Sequence, residues 1–134
     1  MPGEPTRPLV LVVEDDRDTR EMYAMFLDFS GVAVLTAASA DTAHAMAVEH
    51  QPNIVVTDMM LEGSGTGADL CLRLQADERT AHIPALLVTG FSQHQAGPLQ
   101  EWACAEVRTK PYLPDAMVQD IKEILARPAD RRAG

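Results

Sequence analysis

Five short apolar runs punctuate the chain, and longer stretches of mixed polarity lie between them. Leu9 to Val13 is continuously apolar and rich in β-branched residues, which predicts a strand buried on both faces. Met22, Met25, Phe26 and Phe29 then fall on one helical stripe, and Gly31 is placed to end that helix. A second strand is predicted from Val32 to Thr36, followed by an alanine-rich helix from Asp41 to His50 that Pro52 stops. Ile54, Val55 and Val56 form the third strand. A glycine-rich loop at residues 62–67 leads into a helix carrying Leu70, Cys71 and Leu74, and Ile83 to Val88 makes the fourth strand. The stretch from Gln93 to Cys104 is weakly periodic and contains Gly97-Pro98, so any helix there is short or irregular. Val107 belongs to a fifth strand. Met117, Ile121, Ile124 and Leu125 share one face of a last helix that ends before Pro128.

Strand and helix thus alternate five times. Crossovers that return right-handed over a sheet make such a chain an α/β protein, with a doubly wound five-stranded parallel sheet and helices on both faces. The 134 residues suit one domain, expected over residues 8–127. Residues 1–7, with two prolines and a glycine, are expected to be a flexible lead-in, and residues 128–134 a flexible, charged tail. No output domain is expected after the last helix.

The balance of charge excludes more than it identifies. A formal net charge of −9 and an isoelectric point near 4.7 argue against nucleic acid and against an anionic membrane surface as partners. There is no signal-peptide pattern and no membrane-length apolar run, so the expected location is the cytoplasm. Cys71 and Cys104 form no CxxC motif and read as reduced, packed thiols. The histidines show no metal-ligand spacing; His44 and His50 read as solvated helix residues.

Specific chemistry enters where the apolar runs stop. Glu14-Asp15-Asp16 follows the first run, Asp58 the third, Thr89 the fourth, and Lys110-Pro111 the fifth. In a parallel doubly wound sheet, ligands bind beyond the carboxyl ends of the strands, near the point where strand order reverses. Acids gathered there repel one another by about 4 kcal/mol per pair at ~4 Å and an effective dielectric near 20. A hard divalent cation such as Mg²⁺ offsets that repulsion. Asp58 could then act as a nucleophile toward phosphorus, with Thr89, Gly90, Lys110 and backbone N–H groups serving the phosphoryl oxygens. A lone aspartate at a strand end is more often a cap or turn former. The joint order of acidic pair, Asp, Thr and Lys-Pro carries the functional reading.

Taken together, LVLVVEDD, VVTDMML, ALLVTGFS and VRTKPY resemble a response-regulator receiver domain over about residues 8 to 127. The resemblance implies the flavodoxin-like fold and a signalling role rather than turnover of a substrate. It implies Asp58 as phosphoacceptor; Glu14, Asp15, Asp58 and the Met60 backbone carbonyl as Mg²⁺ ligands; Thr89 and Lys110 as contacts of the phosphoryl group; and a cis Lys110-Pro111 peptide. The implied partners are a sensor histidine kinase or histidine phosphotransfer protein near the acids and first helix, and a downstream protein docking on the Gln93–Cys104 segment, fifth strand and last helix. The chain departs from the family at Glu62, where proline is frequent, at Gly90, where alanine is common, and in a slightly longer glycine-rich loop. Val107 stands where the family usually has an inward-turning Tyr or Phe, leaving Phe91 or Tyr112 as possible substitutes. Apolar Met60 and Phe91 flank the route of a hydrolytic water and point to a long-lived phosphoryl group.

Other readings carry less. Residues 63–68 match G-x-G-x-x-A but belong to the third unit, where Asp58 would repel a pyrophosphate. An aspartyl-phosphate phosphatase needs a second acid where Met60 stands. A receiver-like interaction module that signals without phosphorylation keeps the same fold.

Overall fold

Every residue of Leu9–Val13 (β1) is apolar, and both faces of the strand are covered. The computed structural model describes residues 7–61, 63, 65–90 and 104–127. Within them β1 is followed by α1 (Arg17–Phe29), β2 (Ala33–Ala37), α2 (Ala40–His50), β3 (Ile54–Asp58), α3 (Gly67–Ala76), β4 (Ala85–Thr89), β5 (Glu106–Thr109) and α4 (Pro114–Leu125). The strands form one parallel sheet in the order β2-β1-β3-β4-β5. This is the flavodoxin-like order, and it reverses between β1 and β3.

Side-chain alternation divides the sheet into two packed faces. Val10, Val12, Ile54, Val56, Leu86 and Val88 face α1 and α4, where Leu27, Met117, Ile121 and Ile124 cover them. Leu11, Val13 and Val55 face α2 and α3, against Ala40, Ala43, Ala47, Leu70 and Leu74. Near β5 the second face continues as Ala85, Leu87 and Val107 against Ala68, Cys71 and Cys104.

Local signals fix the helix ends. The Asp16 carboxylate accepts from the Thr19 backbone N–H at 2.9 Å, and Ser39 does the same for Thr42 at 3.2 Å. Thr66 and Asp69 form a reciprocal capping box on α3. Gly31 follows α1 with a φ of 96°, the left-handed geometry that favours glycine. Arg7, counted with the lead-in above, donates to the carbonyls of Gly31 and Val32 at 3.2 and 2.9 Å.

Several boundaries shift. β2 lies one residue later than predicted, β4 starts at Ala85 because Ile83 and Pro84 belong to the approach, and β3 and β4 run on through Asp58 and Thr89. The predicted Gln93–Cys104 helix lies, but for Cys104, outside the described residues, as do residues 1–6 and 128–134. His44 is not solvated: its Nε2 lies 2.9 Å from Asp77 Oδ2, joining α2 to the end of α3. That partner is 33 residues away, beyond the reach of local pattern.

The largest difference concerns α1. The Met22, Met25, Phe26 and Phe29 stripe faces solvent, with Met25 72% and Phe29 91% exposed. Leu27 is the one fully buried residue of this helix, and Tyr23 packs beside it at the i, i+4 spacing. α1 therefore has two apolar faces, and periodicity alone could not say which one meets the sheet. Urea unfolding should separate them: Leu27→Ala should cost about 2–5 kcal/mol, whereas Phe29→Ser should stay within about 0.5 kcal/mol of wild type.

Candidate functional site

Strand register assembles the acids. Val13 pairs with Thr57 across β1 and β3, so the next residues, Glu14 and Asp58, stand side by side at the reversal of strand order. Asp58 pairs with Val88, which puts Thr89 one step further along β4, and Thr89 pairs with Thr109, which brings Lys110 to the same edge. Carboxylate oxygens of Glu14, Asp15 and Asp58 all lie within 4.8 Å of one another. Glu14 and Asp58 are buried, while Asp15 is half-buried.

One ammonium opposes this charge. Lys110 Nζ sits 3.0 Å from Asp58 Oδ1 and 3.1 Å from Oδ2. The Met59 backbone N–H also donates to Asp58 Oδ1, at 3.0 Å, so this carboxylate is held from two sides. Burial by itself would lower the Lys110 pKa, but its hydrogen bond to Asp58 and the charges of Asp58 and Glu14 outweigh burial and raise it. Glu14 shows what remains uncompensated. Its pKa is pushed up to about 7, first by burial, then by the Asp58 charge and by a hydrogen bond that the protonated Glu14 carboxyl donates to Asp15, against the lowering effect of the Asp16 N–H and Lys110.

Each predicted site residue can now be placed. Glu14, Asp15, Asp58 and Lys110 meet in one cluster. Thr89 is fully buried at the end of the neighbouring strand, and its carbonyl accepts from the Lys110 N–H at 2.8 Å. Met60 follows Asp58 by two residues and is 59% exposed. The Lys110-Pro111 peptide is cis.

Two neighbours escaped the sequence reading. Gly67 opens α3 directly against β3: a Cβ there would stand 2.1 Å from the Asp58 carbonyl oxygen, so no other residue fits without moving the acid's backbone. Its signal was present in the glycine-rich loop, as a glycine at a helix start. Tyr23 lines the cleft beside Glu14, Asp58 and Lys110, and its phenol donates to the Tyr112 carbonyl at 3.1 Å. Burial, and then the Glu14 charge, raise the Tyr23 pKa, so the phenol keeps its proton. A lone tyrosine in a helix offers no signal of this kind.

Residues 10–122 match the model of the response regulator receiver domain. The chain belongs to the response regulator receiver family. It is 34% identical over 128 residues to the phosphate regulon transcriptional regulatory protein PhoB of Pseudomonas aeruginosa, covering 92% of this chain and 55% of PhoB. It therefore spans about half the length of that relative. The polar-differentiation response regulator DivK of Brucella ovis is 26% identical, over 87% of this chain and 94% of DivK. Among solved structures, a Chloroflexus aurantiacus chain assigned to the response regulators superposes with a TM-score of 0.82 at 29% identity, over 91% of this chain and 100% of that one. The chemotaxis response regulator CheY4 of Vibrio cholerae shares the fold, with a TM-score of 0.79 at 22% identity, over 89% of this chain and 99% of that one.

Receiver domains are signalling modules that work with histidine kinases or phosphotransfer proteins and bind Mg²⁺ at an acidic site. The donor set here fits such an ion: three carboxylates converge beside one lysine, and burial with the Asp58 charge raises the Glu14 pKa to about 7. In this receiver Val107 is buried against the face that carries Leu87 and Cys71. Tyr112 occupies the opposite face, with α1 and α4, so it does not fill the place of the family aromatic. Phe91 and Glu62 lie outside the described residues. No described helix is long and apolar enough to cross a membrane.

The raised Glu14 pKa sets the sign of a pH effect. The folded protein without metal binds more protons than the unfolded chain between about pH 4.5 and 7, so Glu14 removes stability as pH rises through that window. Denaturant titrations in EDTA should show wild type losing stability relative to Glu14→Gln across it. A constant difference between the two would contradict this.

Proposed function

We propose that this receiver takes a phosphoryl group onto Asp58 from a phosphohistidine partner and thereby switches the binding of a downstream protein. The observation that carries the reading is the meeting of Glu14, Asp15, Asp58 and Lys110 at the strand-order reversal. Glu14, Asp15, Asp58 and the Met60 carbonyl would hold Mg²⁺, which supplies positive charge for the phosphoryl oxygens when bound. One Asp58 oxygen attacks phosphorus in line, and the phosphorus–nitrogen bond breaks with its electron pair returning to the donor imidazole. Lys110 moves its ammonium from the free carboxylate to a phosphoryl oxygen, and the Thr89 hydroxyl and nearby backbone N–H groups accommodate the others. Exposed, apolar Met60 has no group to orient an attacking water, which favours a long-lived acyl phosphate.

This role is that of a switch rather than of an enzyme with a turned-over substrate. The folded unit is taken as residues 8–127, placed in the cytoplasm, where Cys71 and Cys104 stay reduced and outside any disulfide. Without an aromatic at Val107, the output would rely on the β5–α4 surface. There Arg108 bonds Asp120 at 3.0 Å, and Arg127 bonds Glu106 at the same distance.

The solvent-facing stripe of α1 supports a docking site for the phosphohistidine donor, because its helix starts next to the acids at Asp16 and the stripe has no cover within the described chain. Incubation with Mg²⁺ and acetyl phosphate should add the mass of one phosphoryl group to wild type and none to Asp58→Asn. Equal modification of both, or none of wild type, would overturn the reading. Replacing Met25 and Phe29 together by glutamate should slow transfer from a histidine phosphotransfer domain about ten-fold or more. The rate with acetyl phosphate should stay unchanged.

A further inference from the structure

We infer that Tyr23 is a positioning residue for Lys110, holding the turn that aims the ammonium at Asp58. This rests on the phosphoacceptor reading and adds to it a residue outside the strand-end motifs.

Lys110 has a long, flexible side chain that is 45% exposed, yet both of its contacts with Asp58 lie near 3 Å. Its own packing does not explain that precision. The turn that carries it is fixed at both ends. On the β4 side, the Lys110 N–H donates to Thr89 O at 2.8 Å. Beyond the cis Lys110-Pro111 peptide, the Tyr112 carbonyl accepts from the Tyr23 phenol, a contact across 89 positions of sequence. The Tyr112 ring is buried, and its hydroxyl donates to Asp120, which Arg108 also holds. The Tyr112 side chain thus ties the turn to α4, while its carbonyl is tied to α1 through Tyr23.

Tyr23 is suited to this part. Its ring packs on the core formed by Val10, Val12, Leu27 and Met117, so its hydroxyl has little freedom. The hydroxyl reaches the acid cleft from α1 without adding charge to it. Loss of the bond leaves the Tyr112 carbonyl without this partner and lets the turn, with Lys110, sample other positions. The same helix bears the exposed Met22, Met25 and Phe26 on its other face, so the tie joins the helix proposed for docking to the residue that meets the phosphoryl group.

The chain has two lysines, Lys110 and Lys122, which makes the test direct. In protein labelled at lysine with ¹³C and ¹⁵N, the Lys110 side-chain signals are read against those of exposed Lys122 as an internal reference. Tyr23→Phe keeps the ring in the core, and urea unfolding checks that it folds. The variant should move the Lys110 signals toward those of Lys122 and leave Lys122 unmoved. Its phosphorylation by acetyl phosphate at saturating Mg²⁺ should be about three- to ten-fold slower, with unchanged Mg²⁺ affinity. An unmoved Lys110 signal would overturn the inference whatever the rate does, as would a moved signal with an unchanged rate. If wild type is not phosphorylated at all, the phosphoacceptor reading fails instead, and the lysine signals still report whether the tie exists.

Discussion

Like charge gathered at the carboxyl edge of the sheet is the constraint that the neighbouring elements must accommodate. Three carboxylates within 4.8 Å repel one another by on the order of 3 kcal/mol per pair at an effective dielectric near ~20. Lys110 offsets part of this, and the Met59 and Asp16 N–H groups contribute dipoles. Burial, and behind it the remaining Asp58 charge, pushes the Glu14 pKa up to about 7. A site left short of positive charge in this way is built to recruit it. That one property links the fold to the divalent cation that receiver domains bind, whose charge would also serve an incoming phosphoryl group.

The sheet delivers these groups because its core is rigid and ordinary. β1 and β3 are apolar on both faces, so burial fixes their register, and register alone sets Glu14 beside Asp58. Gly67 lets α3 begin in contact with the Asp58 backbone, which limits how far the acceptor can shift. On the other side, α1 and α4 hold the Lys110 turn through Tyr23 and Tyr112. Packing thus places the acids, while hydrogen bonds place the cation that answers them.

What the sequence disclosed follows from how local each signal is. The strands, the strand-end acids, Thr89 and Lys110 were legible because apolar runs and the polar residues that stop them are contiguous. The facing of α1 was not, since its more regular apolar stripe is the exposed one and only tertiary packing chose Leu27 and Tyr23 over Met25 and Phe29. The links from His44 to Asp77 and from Tyr23 to Tyr112 span 33 and 89 positions, so nothing local announced them. Val107 was legible as a departure from the family, and its burial among Leu87, Cys71 and Cys104 gives the valine a plain packing role.

The central claim is that one carboxylate, Asp58, carries the phosphoryl group. Borohydride reduction of the phosphorylated protein converts an aspartyl phosphate to homoserine, and peptide mass mapping then locates it. The account predicts homoserine at position 58, formed only when Mg²⁺ was present during phosphorylation. Reduction at Asp15 or another acid, or a phosphoryl group that resists borohydride and maps to a histidine, would contradict it.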